Sequence, residues 1–176
     1  MRSLLVTAFG PFGAFEQNPS EVIAHRLFGE DVVVIPVSYQ VVDQFVESFS
    51  TDAKAVLMLG VGAPCDRLRV ERIARNRVGT SRDVDGIVFG RTKIDPNGPD
   101  TINGSLFANW KNATRAWQPN RDAGDYLCNY LYYRMAAKWP NVKSGFVHVP
   151  PLSILSLDVQ CDYLMRVIKR IYKENP

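Results

Sequence analysis

Histidine is the scarcest chemistry-bearing residue in this 176-residue chain, which has only His25 and His148. A reaction that needs an imidazole must draw it from one of those two positions. Cysteine is nearly as rare. Cys65, Cys128 and Cys161 are an odd number at wide spacing, which excludes a complete disulfide framework and leaves at least one free thiol. Neither the cysteines nor the histidines form the close pairs that zinc sites use, so no metal is expected. No apolar stretch approaches the ~18 residues of a membrane-spanning helix. The opening apolar run ends at Thr7 without a signal-peptide core, so a cytoplasmic protein is expected. Charge of one sign is also lacking. With 21 Lys and Arg against 18 Asp and Glu, the net +3 makes neither nucleic acid nor membrane an expected partner. P-loop, H-E-x-x-H and G-x-S-x-G patterns are absent, and Gly60-Val61-Gly62 alone is a weak dinucleotide signal.

What is present reads as one soluble globular domain over residues 1–176, with 46% hydrophobic and 22% charged residues. Short apolar or β-branched runs at 3–8, 31–37 and 55–59 alternate with helical spacing at 21–28 and 39–49. Strands expected at 68–74 and 145–149, and helices at 126–139 and 157–173, continue the pattern. The stretch 76–120, rich in Gly, Pro, Asn and Asp, reads as loops, short strands and a hairpin. Near-continuous apolar strands alternating with helices predict an α/β fold, its mostly parallel sheet covered on both faces.

Three residues could carry chemistry. If Asp125 caps the helix at 126–139, Cys128 occupies its third position, where unpaired N–H groups and the helix dipole favour a thiolate. The alternative is a small buried apolar residue, as most free cysteines are. His148, between Val147 and Val149 near the end of a short strand, points to the face opposite those valines. It can be a core histidine satisfied by hydrogen bonds, or the base of a nucleophile–base pair with Cys128. Glu71, flanked by Val70 on an apolar strand, requires a partner when buried. That partner is either an imidazole to be oriented or one of Arg69, Arg72 and Arg75. The wider cluster of arginines at 67, 69, 72, 75, 77 and 82 is diluted by Asp66, Glu71, Asp83 and Asp85, which weakens an anion-binding reading.

Four blocks in order along the chain resemble the cysteine-type pyroglutamyl peptidases, also called pyrrolidone-carboxylate peptidases. They are Val6-Thr7-Ala8-Phe9-Gly10-Pro11-Phe12-Gly13 with Asn18-Pro19-Ser20, Val70-Glu71-Arg72-Ile73-Ala74-Arg75-Asn76, Ala123-Gly124-Asp125-Tyr126-Leu127-Cys128-Asn129-Tyr130, and Gly145-Phe146-Val147-His148-Val149-Pro150. The resemblance implies a three-layer α/β/α sandwich around a twisted, mostly parallel sheet. It also implies a thiol exopeptidase that hydrolyses the amide bond after an N-terminal pyroglutamyl residue through a thioester. Carried over by position, Cys128 is the nucleophile, His148 the general base and acid, and Glu71 the residue that orients the imidazole. Phe9 and Phe12 line the ring pocket, with Phe15 as a further member. The scheme implies no cofactor, small pyroglutamyl peptides as substrates, and a homo-oligomer, either dimer or tetramer. A catalytically impaired family member that binds a small ligand or a blocked peptide is the alternative. Asp122 stands where the family usually has a small serine, which predicts a carboxylate close to the site.

Overall fold

The computed structural model describes residues 4–49 and 53–174. Its first half alternates strand and helix: β1 (Leu4–Phe9), α1 (Pro19–Phe28), β2 (Val32–Ile35), α2 (Tyr39–Ser48) and β3 (Ala55–Val61). There follow β4 (Leu68–Arg75), β5 (Thr101–Asn103), β6 (Trp117–Asp122), α3 (Leu127–Lys138), β7 (Lys143–Val149) and α4 (Leu157–Glu174). Sequence chemistry sets the helix ends. Asn18 caps α1 by accepting from Ser20 N at 3.0 Å, with Pro19 supplying a preset φ at the first helical position. Ser38 caps α2 by accepting from Val41 N.

The seven strands form one sheet in the order β2-β1-β3-β7-β4-β5, with β6 also paired to β4. The β1–β2, β1–β3, β3–β7 and β4–β6 pairings are parallel, whereas β4 runs antiparallel to β7 and β5. Ile73 pairs with both Asn103 and Asp122, so β5 and β6 flank opposite edges of β4. Strand alternation then builds two cores. Leu57, Leu59, Val147 and Val149 face α1 and α4, while Val56, Met58 and Phe146 face α2 and α3. The result is the layered α/β arrangement. Among the described residues no helix is long and apolar enough to cross a membrane.

The stretch 76–120 contains β5 and the first four residues of β6, and β6 had no sequence signature. Its residues Trp117-Gln118-Pro119-Asn120-Arg121-Asp122 bury only the tryptophan, and its proline suits an edge strand that gives up one ladder donor. The helix around Cys128 also starts differently from the reading centred on Asp125. Tyr126 is the N-cap and makes no side-chain capping bond, and Cys128 is the second helical residue. The backbone carbonyl of Asp125 instead accepts from Gly79 N at 2.6 Å.

Candidate active site

Cys128 is positioned by the residue that follows it. The buried side chain of Asn129 accepts from Arg75 N at 2.8 Å and donates to the carbonyls of Arg75 and Arg77 at 2.8 and 2.9 Å. These bonds fasten the first turn of α3 to the end of β4. Directly before the helix, Gly124 adopts φ 90° and its N–H donates to Asp122 Oδ1 at 3.0 Å. Such a φ favours glycine because it carries no Cβ. The thiol sits over β3 at Gly60, where an added Cβ would lie 2.7 Å from Cys128 Sγ and 2.8 Å from Phe146 Cζ. The sulfur therefore occupies space that exists because Gly60 has no side chain.

His148 is the residue of β7 in register with Gly60, and both face α3. On its other side, β4 is antiparallel and sets Arg69 opposite His148 and Glu71 opposite Phe146. Glu71 is thus the diagonal neighbour of His148, close enough for long side chains to meet. Its Oε1 lies 2.7 Å from His148 Nδ1, and its Oε2 accepts from Asn120 Nδ2 at 2.8 Å. The Glu71 side chain is fully buried. Of the partners open to this carboxylate, it takes the imidazole and none of the three arginines. Tyr132, also buried, donates to the Glu71 carbonyl at 3.2 Å and pins the strand beneath.

The electrostatics follow from this packing. Burial disfavours the imidazolium, but the charge and hydrogen-bonding reach of the Cys128 sulfur, together with the Glu71 carboxylate, outweigh it. They raise His148 from the ordinary 6.5 to about 9. With Nδ1 held by Glu71, Nε2 is the ring nitrogen left to serve Cys128. His25, the other histidine, joins the Gly29 carbonyl through Nδ1 at 2.9 Å at the end of α1 and takes no part in the site.

A cleft of about 290 Å³ opens beside the sulfur, lined by Phe9, Phe12, Val37, Val61, Tyr126 and Leu127, with Asn18 and Cys128. No charged residue lines it. The Asn18 amide is engaged elsewhere, donating to the Gly10 carbonyl at 2.9 Å and accepting from Ser20 N and Oγ. Phe15 is not among the lining residues. Its ring packs on Phe12 at 5.5 Å between centroids, and its N–H donates to the Phe12 carbonyl at 2.9 Å, bracing the loop that presents Phe12. The cleft wall near Tyr126 is tied down by that residue's hydroxyl, which donates to the Arg82 carbonyl at 2.8 Å.

Asp122, the carboxylate expected close to the site, accepts from Gly124 N at 3.0 Å just before α3, and its carbonyl accepts from Asn120 Nδ2 at 3.1 Å. It is paired with Arg75 Nε at 2.6 Å and with Arg77 Nη2 at 3.7 Å, and it is not among the groups that act on His148. The site also draws on residues that the sequence reading missed. Asn120 holds the second oxygen of Glu71, Asn129 anchors the helix that carries Cys128, and Gly60 and Gly62 clear space for side chains from neighbouring elements. The Gly60-Val61-Gly62 pattern was visible, but its role follows from the distant residues packed over it. Among the described residues no group of three His, Cys, Asp or Glu side chains is placed to hold a metal ion.

Comparison with known proteins agrees with this architecture. The family model described as pyroglutamyl peptidase matches residues 2–161. A pyrrolidone-carboxylate peptidase of Saccharolobus islandicus is 32% identical over 84% of this chain and 79% of its own length. One of Mycobacterium bovis is 30% identical over 90% of this chain and 82% of its own. The crystal structure of the pyrrolidone carboxyl peptidase from Thermus thermophilus superposes with a TM-score of 0.80 at 30% identity, covering 94% of this chain and 98% of that one. By family model, sequence and fold alike, the chain belongs to the pyroglutamyl peptidase family.

Proposed function

We propose that this chain removes N-terminal pyroglutamate from peptides with Cys128 as nucleophile, His148 as general base and acid, and Glu71 as the residue that orients the imidazole. The observation that carries the reading is the continuous Asn120–Glu71–His148 chain, which ends on an imidazole whose remaining nitrogen serves Cys128. The Cys128 thiol gives its proton to His148 Nε2, and the resulting thiolate attacks the carbonyl carbon that joins the pyroglutamyl ring to the next residue. As the tetrahedral intermediate collapses, the C–N bond breaks and His148 returns the proton to the leaving amine. Water, deprotonated by the same nitrogen, then attacks the thioester and releases pyroglutamate and the free thiol.

Helix α3 supplies the electrostatic help. The first amides of a helix have no intrahelical acceptor, and Tyr126 offers no side-chain oxygen to them. The N–H of Cys128 is one of these, and on this reading it donates to the carbonyl oxygen as negative charge develops there. Phe9 and Phe12, with Phe15 behind Phe12, hold the ring. An apolar cleft without a countercharge suits an uncharged lactam and penalises a free amino-terminal residue, whose ammonium would be desolvated without a partner.

The whole chain, 1–176, is taken to act as one peptidase domain in a reducing cytoplasm that preserves the thiol. Self-association as a dimer or tetramer is part of the same proposal; Val84, Ile87, Val88 and Phe89 are exposed apolar residues on one loop that could support it. Light scattering would read the oligomer's mass directly. The catalytic proposal is tested by hydrolysis of a fluorogenic pyroglutamyl amide under reducing conditions, beside Cys128→Ser and a prolyl amide. Turnover specific to pyroglutamate and lost in the variant supports it. A folded protein with an alkylatable Cys128 and no turnover would instead favour ligand binding without catalysis.

A further inference from the structure

The arginines of the β4 segment have partners or solvent, with one exception. Arg67 pairs with Asp66, Arg75 and Arg77 with Asp122, Arg82 donates to the Gly86 carbonyl, and Arg72 is exposed. Arg69 is half-buried, and among the described residues its side chain has neither ion pair nor hydrogen bond; its Nε is fully buried without a partner. A guanidinium nitrogen is costly to bury without an acceptor, and Arg69 is the arginine of this segment whose charge is left free to take an acidic ligand.

The position of Arg69 identifies that ligand. It is paired in register with His148, and a Cβ added at Gly62 would collide with its Nη2 while lying 2.9 and 3.0 Å from Cβ and Cγ of His148. The guanidinium therefore lies over Gly62, two residues along the chain from Gly60, where the Cys128 sulfur sits. A two-residue strand repeat is ~7 Å. The cleft for the pyroglutamyl ring lies over the ends of β1 and β3, lined by Phe9 and Val61, whereas Arg69 is on β4, beyond β7 in the sheet. His148 must reach the leaving nitrogen, so the side of the site beyond His148, toward β4, receives the released residue. One residue of extended chain advances ~3.5 Å, and a charge-assisted hydrogen bond adds ~2.8 Å. That reach is comparable to the ~7 Å between the strand positions over which the sulfur and the guanidinium lie.

We infer that Arg69 binds the α-carboxylate of the residue being released and makes free-acid pyroglutamyl dipeptides preferred substrates. The inference rests on the proposed peptidase reading of the same site. In longer peptides a neutral amide carbonyl replaces the carboxylate at that point and is a weaker acceptor for Arg69. The free carboxylate of those peptides lies farther out.

The test compares kcat/KM for pyroglutamyl-alanine with that for pyroglutamyl-alanine amide, following released pyroglutamate by chromatography. The wild-type protein should favour the acid by about tenfold or more, the lower range for a charge-assisted bond. Arg69→Met, which keeps the aliphatic stem, and Arg69→Gln should bring the ratio toward one, whereas Arg69→Lys should restore part of it. A merely structural arginine would affect both substrates alike. Equal use of acid and amide by the wild type, or a preference that survives in Arg69→Met or Arg69→Gln, would overturn the role of Arg69 alone. Failure of the wild type to cleave either substrate would overturn the peptidase reading and this inference with it.

Discussion

Glu71 and His148 are separated by 77 positions in the chain, yet Oε1 and Nδ1 meet at 2.7 Å because β4 runs antiparallel to β7 in an otherwise largely parallel sheet. This reversal places the carboxylate diagonally across from the imidazole, and Asn120 on β6 fixes the carboxylate's second oxygen. Three adjacent strands therefore set the orientation of one ring. The fourth contribution, the sulfur, comes from the helix above.

Replacing Glu71 by Gln keeps the volume but presents an amide that can donate to Nδ1 and select the wrong tautomer. Glu71→Gln should lower kcat by about 10²- to 10⁴-fold, with a smaller change in KM. It should also bring the His148 titration below its value of about 9, since two of the influences that raise it are removed. Steady-state kinetics and imidazole NMR would check both effects.

The pH dependence follows from the same ring. In the proposed mechanism protonated His148 is the partner of the thiolate and the acid for the leaving amine, so kcat/KM should fall as pH rises through about 9. Stability has the same sign. A histidine raised from 6.5 to about 9 on folding contributes its full stabilisation below about pH 6.5 and loses it progressively up to about pH 9. In Cys128→Ser the sulfur's influence disappears, and the imidazole should titrate lower. An unchanged titration in that variant, followed by NMR, would contradict the coupling.

Gly60→Ala places a methyl group 2.7 Å from Sγ and 2.8 Å from the Phe146 ring. Overpacking of this kind should destabilise the protein by about 1–3 kcal/mol. The displaced sulfur should lower kcat by about 10²-fold or more. Denaturant melts and the rate of Cys128 alkylation, measured together, separate the loss of fold from the displacement of the sulfur.

Phe12→Ala opens the cleft wall while leaving the Glu71–His148–Cys128 group in place. Its KM for pyroglutamyl substrates should rise by about tenfold or more, the scale of one buried aromatic contact. Alkylation of Cys128 by iodoacetamide should remain close to wild type. Unchanged kinetics would remove Phe12 from the substrate pocket.

The parts of the site that were legible in the sequence are those carried by residue type and local pattern. A cysteine near a helix start, a histidine at the end of a short strand and a carboxylate in an apolar strand each raise a question that the other two answer. The layered fold was legible for a similar reason, since β1, β2, β3 and the helices between them follow simple periodicities. Asn120, Asn129 and Gly60 were not legible, because each acts on a residue far away in the chain. β6 escaped because Pro119 and its polar neighbours follow no alternation and its pairing is set by β4. Asp122 was expected close to the site because it stands where the family usually has a small serine, but its partners were not legible. The ion pairs with Arg75 and Arg77 hold it at the end of β4, beside the start of α3.

The most direct test of the central claim is acid quenching of the protein during turnover of a pyroglutamyl amide, followed by peptide mass spectrometry. The account predicts a transient gain of one pyroglutamyl group on the peptide containing Cys128, absent in Cys128→Ser and diminished in His148→Ala. Turnover that proceeds in Cys128→Ser, or an acyl group found on Cys65 or Cys161 instead, would contradict it.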